Sequence, residues 1–150
     1  NLIGLAMLPA GKFHPFQLDT FGLGAAIRAA QKNGARRIII GIGGSATNDG
    51  GFGLARALGW KFVDRAGGEI TNWTELIKLQ TVQRPERLPK GLLTVAVDVN
   101  NPLLGPRGAT RIYGPQKGIR PQDVIPAELC LRRLALVMKH TSSSATATLA

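Results

Sequence analysis

The sequence predicts an α/β fold in which a mixed β-sheet is flanked by helices. Three observations predict it. A capped amphipathic segment is followed at once by a β-branched run at residues 36–42, which is the usual order of elements in α/β proteins. A second apolar run, residues 92–97, stops at a cluster of polar side chains. Stretches rich in glycine and proline separate these segments, as expected of connecting loops.

The first two elements are a helix and a buried strand. Residues 20–33 form the helix, with Asp19 or Thr20 as its N-cap and Gly34 just beyond its end. Leu23 and Ile27 lie on one face of it, spaced as in an amphipathic helix. The strand at residues 36–42 shows no alternation of apolar and polar residues, so we expect both of its faces to be covered.

A loop, a short helix and a hairpin follow. Residues 43–51, with the sequence GGSATNDGG, are too rich in Gly and Asx for regular structure. Residues 52–58 form a short helix that ends before Gly59. Residues 60–63 form a strand, and residues 64–68 form a hairpin turn into residues 69–71.

The second half is less regular. We expect short strands at residues 76–79 and 92–97, a loop at residues 105–118, and a helix at residues 121–139. Pro126 should end or kink the first turns of that helix. Nine of the last eleven residues are Ser, Thr or Ala, without apolar periodicity, so residues 140–150 are expected to be a disordered, low-complexity tail.

Composition excludes several classes of protein. The chain has 150 residues, 44% of them apolar, and fits one domain or part of one. The net charge is 19 − 9 = +10, but the basic residues are scattered, which argues against a nucleic-acid partner. Cys130 cannot form an internal disulfide, and with His14 and His140 it makes no zinc-ligand spacing. No apolar run approaches the roughly 20 residues that span a bilayer, so we expect no membrane association and a cytoplasmic chain.

The loop allows two interpretations. Gly41, Gly43 and Ala46 between two strands, with Asp64 after the second, resemble a dinucleotide-binding fingerprint. However, a Rossmann helix should begin directly after these glycines, where this chain continues with polar residues and two more glycines. A tight strand-to-helix connection without a ligand also stays open.

The second interpretation is phosphoryl transfer. Lys117, between turn-forming residues, could be held on a loop to meet phosphates. Asp98, Asn100 and Asn101 follow a strand and carry the oxygen atoms that Mg²⁺ prefers. A glycine-rich loop, oxygen ligands and a lysine are the components that phosphoryl transfer needs. A solvated lysine and an Asx-turn that closes the strand remain the simpler alternatives.

Three segments resemble the signature stretches of type I glycerate kinases, in order and spacing. They are IGIGGSATNDGG at residues 40–51, DVNNPL at residues 98–103 and GPQKG at residues 114–118. The likeness extends from about residue 5 to residue 139. It implies ATP-dependent phosphorylation of D-glycerate with Mg²⁺, with 2-phosphoglycerate as the favoured product. It also implies a cytoplasmic enzyme of two α/β domains with the site in the cleft between them.

From the resemblance we assign hypothetical roles. Asp49 would be the general base, and Asp98 with Asn101 would hold Mg²⁺, although the roles of Asp49 and Asp98 could be exchanged. Lys117, supported by Gln116, would offset phosphate charge in the transition state. The residues expected to bind or orient the substrate are Gly43, Gly44, Ser45, Thr47, Asn48, Asn100 and Gln116.

Family members are more than twice as long as this chain. The resemblance therefore implies that residues 1–139 are an incomplete part of the two-domain fold, and the activity of this chain alone stays open. The alternatives are an inactive fragment or a protein that acts only with a partner chain. A homo-oligomer and half of a nicotinamide-dependent dehydrogenase also remain.

Overall fold

The structure is a computed structural model that describes residues 4–9, 12–87 and 91–147, with side chains as far as residue 141. It contains four α-helices and four β-strands in these ranges. They are α1 (Phe21–Lys32), β1 (Arg37–Gly41), α2 (Phe52–Ala57), β2 (Lys61–Asp64), β3 (Leu79–Gln83), β4 (Leu92–Ala96), α3 (Ala109–Lys117) and α4 (Val124–Ala147). Short 3₁₀ helices lie at Leu5–Met7, Pro15–Gln17, Trp73–Lys78 and Pro121–Asp123. The predicted α/β class is confirmed.

The described strands form two small sheets. β1 pairs with β4 in parallel, from Arg37 opposite Leu92 to Gly41 opposite Ala96. β2 pairs with β3 in antiparallel fashion. The parallel pair brings the ends of β1 and β4 to one edge, where the glycine-rich loop and Asp98 leave the sheet.

The main core lies between the antiparallel sheet and α4. Trp73, Leu76 and Leu79 are at most 1% exposed and pack with Phe52 and Phe62. α4 closes this core with one apolar face, and it contacts both β3 and the 3₁₀ helix at Trp73–Lys78. The apolar side chains between α4 and the antiparallel sheet are therefore buried.

The prediction that the β1 strand is covered on both faces is wrong for the described residues. Ile40 is buried, but Ile39 is 67% exposed, and Leu92 and Val95 in β4 are more than half exposed. α1 and α2 pack on each other, and α4 packs on the other sheet. The described helices thus leave much of the parallel pair uncovered.

The helix and turn signals around α1 and α2 give the observed elements. Thr20 is the N-cap of α1, but its side chain makes no capping bond; instead the Phe21 N–H donates to Asp19 Oδ1 at 2.9 Å. Gly34 and Gly59 follow α1 and α2 with φ of +86° and +95°. This left-handed conformation is the one that glycine tolerates after a helix.

Three predicted elements differ in the structure. Residues 76–78 are the end of a 3₁₀ helix, and β3 begins only at Leu79. Residues 109–117 of the expected loop form α3, so Lys117 ends a helix. Residues 69–71 make a single bridge, between Glu69 and Val63, instead of a strand.

The last helix differs from the prediction at both ends. A 3₁₀ turn at Pro121–Asp123 precedes α4. Pro126 lies in the first turn of α4, where backbone N–H groups have no intrahelical acceptor, so its missing N–H costs no hydrogen bond of the helix. α4 continues to Ala147, although the sequence predicts disorder after residue 139. Residues 140–147 contain no Gly or Pro, so nothing in them stops a helix. Residues 148–150 lie outside the described residues, and the domain boundary after residue 139 stays a prediction.

Across the described ranges, no helix combines the length and the apolar character that crossing a membrane requires.

Candidate functional site

The glycine-rich loop leaves β1 and is held at its start by the N-terminal segment. The Leu5 N–H donates to the Gly44 carbonyl oxygen at 2.8 Å, and Gly4 bridges Ser45. Gly44 has a φ of +66°, a conformation that side chains rarely adopt. Gly43 and Gly44 are exposed, so the loop presents its backbone to solvent at this edge.

Lys117 contacts this loop from α3. Its Nζ donates to the Thr47 carbonyl oxygen at 2.7 Å and lies 3.4 Å from Ser45 Oγ. Burial lowers the pKa of Lys117 below its ordinary value of 10.5, and the charge of Asp49 opposes that change. The sequence predicted Lys117 on a loop, whereas in the structure it is the last residue of α3.

Asp49 is the most buried of the predicted site residues, at 1% exposed. Its Oδ2 accepts from the Thr20 N–H at 2.9 Å, the Thr20 hydroxyl at 2.7 Å and the Gly53 N–H at 2.9 Å. Its Oδ1 accepts from the Gly51 N–H at 3.2 Å. These contacts cap the start of α2 and join it to α1. A general base needs an oxygen that substrate can reach, so this environment suits a structural carboxylate.

Asn48 and Thr47 are also buried. The Asn48 Nδ2 donates to Thr110 Oγ1 at 3.1 Å, and the Thr110 hydroxyl lies 3.4 Å from Asn48 Oδ1. Thr47 meets Lys117 through its backbone carbonyl. The structure therefore uses Asn48 to join the loop to α3, and its side chain does not face solvent as substrate orientation would require.

Asp98 lies beside the start of the loop. A Cβ placed on Gly43 would stand 3.4 Å from Asp98 Oδ2 and 3.5 Å from Oδ1. Asp98 is exposed, in contrast to Asp49. The parallel pairing of β1 and β4 brings these two segments together, as the sequence predicts for the carboxyl ends of strands.

The remaining predicted residues are less clearly placed at this edge. Asn101 uses both ends of its amide, because its Nδ2 donates to the Arg107 carbonyl oxygen and its Oδ1 accepts from the Tyr113 hydroxyl at 2.6 Å. Asn100 and Gln116 are exposed. Gln116 precedes Lys117 on α3, so it points about 100° away from Lys117 around the helix axis.

A dedicated metal cage is absent from the described residues, which hold no group of three or more His, Cys, Asp and Glu side chains suited to a metal ion. Mg²⁺ commonly uses one or two protein oxygens and takes the rest from phosphates and water. Exposed Asp98 fits that mode. Asn101 fits it poorly, since its amide oxygen already accepts from Tyr113.

The dinucleotide interpretation is wrong. α2 begins at Phe52 and not directly after Gly41 and Gly43, and β1 and β2 belong to different sheets. Asp64 closes its own turn, where its Oδ1 accepts from the Ala66 and Gly68 N–H groups. Asp64 thus belongs to the antiparallel sheet, whereas the glycine-rich loop leaves the parallel one.

Sequence reasoning missed Thr20 and Thr110, which hold the loop from α1 and α3. Thr110 is 0% exposed, and Thr20 Oγ1 accepts from the Leu54 N–H at 2.8 Å besides donating to Asp49. Thr110 lies 62 residues along the chain from its partner Asn48, and Thr20 lies 29 residues from its partner Asp49. The only local signal was Thr20 as an N-cap candidate.

Backbone donors, a half-buried lysine and an exposed carboxylate at one sheet edge are components of phosphate-handling sites. A sequence model described as the glycerate kinase family matches residues 1–150, and the chain belongs to this family. The match includes residues 140–150, where the sequence resemblance ended.

Proteins with similar sequences are also named as glycerate kinases. The chain is 47% identical over 119 residues to a Bacillus subtilis glycerate kinase, covering 77% of this chain and 31% of that protein. It is 42% identical over 140 residues to an Escherichia coli glycerate 2-kinase, covering 91% and 37%. A crystal structure of a Salmonella typhimurium LT2 protein assigned as glycerate kinase 2 superposes with a TM-score of 0.83 at 38% identity. The superposition covers 92% of this chain and 38% of the Salmonella typhimurium chain. The chain thus spans about a third of the length of these relatives.

Proposed function

We propose that this chain supplies part of the active site of a kinase that transfers a phosphoryl group from ATP to D-glycerate. The observation that carries the proposal is the contact of Lys117 with the glycine-rich loop, at 2.7 Å from the Thr47 carbonyl oxygen and 3.4 Å from Ser45 Oγ. Family membership supports the substrate class. We propose 2-phosphoglycerate as the favoured product, and the name of the Escherichia coli relative, a glycerate 2-kinase, supports this choice.

Lys117 is the group that stabilises phosphate charge. A partly desolvated ammonium interacts more strongly with an anion than a fully solvated one does. Its contacts with Thr47 and Ser45 fix the ammonium before substrate arrives, so little reorganisation is needed during the reaction. Ser45 could also donate its hydroxyl to an oxygen of the phosphate or of the glycerate carboxylate.

The exposed backbone of Gly43 and Gly44 faces the substrate in this proposal. Backbone N–H groups in glycine-rich loops bind anions without side chains in the way. The negative charge of glycerate needs such donors, and Lys117 contacts the same loop from the end of α3. We assign Gln116 and Asn100 as exposed side chains that can hydrogen-bond the substrate hydroxyls.

Asp98 takes the role of general base, and Asp49 becomes a positioning residue. Asp98 would accept the proton of the attacking glycerate hydroxyl. The oxygen of that hydroxyl would bond to the γ-phosphorus of ATP as the bond from this phosphorus to ADP breaks. Asp98 is exposed beside Gly43, whereas Asp49 is bound by Thr20 and by backbone donors. The role of base therefore moves from Asp49, its first assignment from the sequence, to Asp98.

Mg²⁺ would enter with the nucleotide. When bound, the ion neutralises phosphate charge and orients the phosphates for transfer. The oxygens that this chain offers are those of Asp98, through water, and of Asn100. Because a kinase needs ATP and the cytoplasm supplies it, we propose that the protein is cytoplasmic.

The test is a chimaera in which residues 1–150 replace the matching segment of the Escherichia coli relative. Lys117→Ala should lower kcat for ADP formation by about 10²-fold or more, with little change in melting temperature. The matched control is Lys78→Ala, which removes an exposed lysine paired with Glu75 at 2.8 Å. Equal turnover in the two variants would remove Lys117 from the mechanism.

We also propose that the chain by itself is incomplete and depends on further polypeptide, from a partner chain or a second copy. The specific observation is the parallel pair of β1 and β4, with exposed Ile39, Leu92 and Val95. Parallel sheets are normally covered on both faces.

A further inference from the structure

Helix α3 meets the glycine-rich loop at two points. Thr110 lies in its first turn and Lys117 is its last residue. Seven residues are close to two helical turns, so the two side chains lie on the same face, about 10 Å apart along the axis. One helix face therefore contacts the loop at both ends.

The Thr110 contact is buried and specific. Its hydroxyl stands 3.1 Å from Asn48 Nδ2 and 3.4 Å from Asn48 Oδ1, and both residues are buried, Thr110 completely. A buried amide or hydroxyl that loses its partner carries an energetic penalty, so this pair favours a single arrangement of loop and helix.

Asn48 transmits this arrangement to the acceptor of Lys117. The Thr47 carbonyl that Lys117 binds belongs to the peptide group shared by Thr47 and Asn48. Because the peptide group is planar, holding the Asn48 end limits the directions in which the Thr47 carbonyl can point.

A second face of α3, about 100° around the helix from Thr110, is held as well. Arg111, next to Thr110, pairs with Glu128 of α4, with Nη2 at 3.1 Å and Nε at 3.2 Å from Glu128 Oε2. Glu128 is buried. A helix held by α4 on one side can transmit the Thr110 contact to Lys117 without sliding.

We infer that Thr110 is a positioning residue whose contact with Asn48 holds Lys117 on the Thr47 carbonyl. The importance of that geometry for turnover rests on the proposed function, but the geometry itself does not. Thr110 touches no substrate in this account and acts through the loop and α3.

The experiment measures the labelling rate of Lys117 in the 150-residue chain with an amine-reactive reagent, read by peptide mass spectrometry. Thr110→Val keeps the side-chain shape and removes the hydroxyl. It should raise the Lys117 rate about three- to tenfold relative to exposed Lys78, the factor that corresponds to one lost hydrogen bond. Thr110→Ser keeps the hydroxyl and should label at the wild-type rate. Thr141→Val, which removes a hydroxyl bonded to the Val137 carbonyl on α4, is the matched control and should leave Lys117 unchanged.

Asn48→Ala gives a second route if Thr110→Val does not fold, and it should raise the Lys117 rate equally. The inference is overturned if the rate stays at the wild-type value in a folded Thr110→Val or Asn48→Ala protein, or if Thr110→Ser labels as fast as Thr110→Val. In the chimaera, Thr110→Val should lower kcat about tenfold with KM for D-glycerate unchanged. Faster labelling with unchanged kcat would support the positioning role and count against Lys117 in the proposed function.

Discussion

Asp49 shows how far a residue's role depends on what the fold places around it. The sequence puts it in a signature loop, where a base is a natural assignment. The fold brings Thr20 and three backbone N–H groups, one each from residues 20, 51 and 53, to its carboxylate. No local pattern indicates partners 29 residues away in the chain, so the sequence could not predict this environment of Asp49.

Asp49→Asn should therefore lower the free energy of unfolding by roughly 2–3 kcal/mol, because an amide nitrogen would face N–H donors and the charge would be lost. Urea-induced unfolding measures this. Asp64→Asn is the control and should cost less, since Asp64 accepts from the Ala66 and Gly68 N–H groups in an exposed turn. Wild-type stability with lost turnover in the chimaera would return Asp49 to the role of base.

Lys117 should set the alkaline limb of the rate profile. Burial lowers the pKa of Lys117 below 10.5, and the role that we propose for Lys117 needs the charged form. The kcat of the chimaera should fall as pH rises through that lowered pKa, before an ordinary lysine would titrate. Lys117→Arg keeps its charge and should move this fall to higher pH.

The lowered pKa of Lys117 has the opposite effect on the free energy of unfolding, which it makes rise with pH where kcat should fall. Between the lowered pKa and 10.5 the unfolded chain binds more protons at this site than the folded one, so the Lys117 contribution to stability rises with pH there. A rate profile of Lys117→Arg identical to the wild-type profile would assign the alkaline limb to another group.

At the scale of the elements, α1 packs against α2 through a glycine. A Cβ on Gly24 would overlap the Ala57 Cβ and stand 3.4 Å from the Ala57 Cα, whereas nothing lies within 4 Å of a Cβ on Gly22. Both glycines lie in α1, so they form a matched pair.

Gly24→Ala should lower the melting temperature, because the helices must separate or α2 must shift. Gly22→Ala should raise the free energy of unfolding by about 0.5–1 kcal/mol, since alanine favours the helix and meets no obstacle. Thermal unfolding of both variants checks the pair. A Gly24→Ala protein as stable as the wild type would show that α1 and α2 pack less closely than described.

Most elements could be predicted because their signals are local. Caps and glycines mark α1 and α2, and β-branched runs mark β1 and β4. The 3₁₀ helix at Trp73–Lys78 also had a signal, since Trp73, Leu76 and Leu79 are buried at every third residue. α3 could not be predicted from its glycine and proline content, because its packing against the loop and α4 outweighs its weak propensity.

At the scale of the whole molecule, the uncovered parallel pair should make the isolated chain associate. The chain should bind a hydrophobic dye and form larger species as its concentration rises in sedimentation experiments. Ile39→Lys should reduce this association, because a charge on an exposed strand opposes pairing with another chain. The matched control is Ile77→Lys, at an apolar residue that is 51% exposed in the 3₁₀ helix at Trp73–Lys78. A chain that stays monomeric and binds no dye would show that β1 and β4 need no cover.

The most direct test of the account is D-glycerate-dependent ADP formation, with ATP and Mg²⁺, by the chimaera that carries residues 1–150. The measurement runs beside the 150-residue chain alone and the unmodified Escherichia coli relative. The account predicts turnover in the chimaera, with 2-phosphoglycerate identified by NMR, and little or none in the chain alone. A folded chimaera that forms no ADP with D-glycerate, while the unmodified relative does, would contradict it.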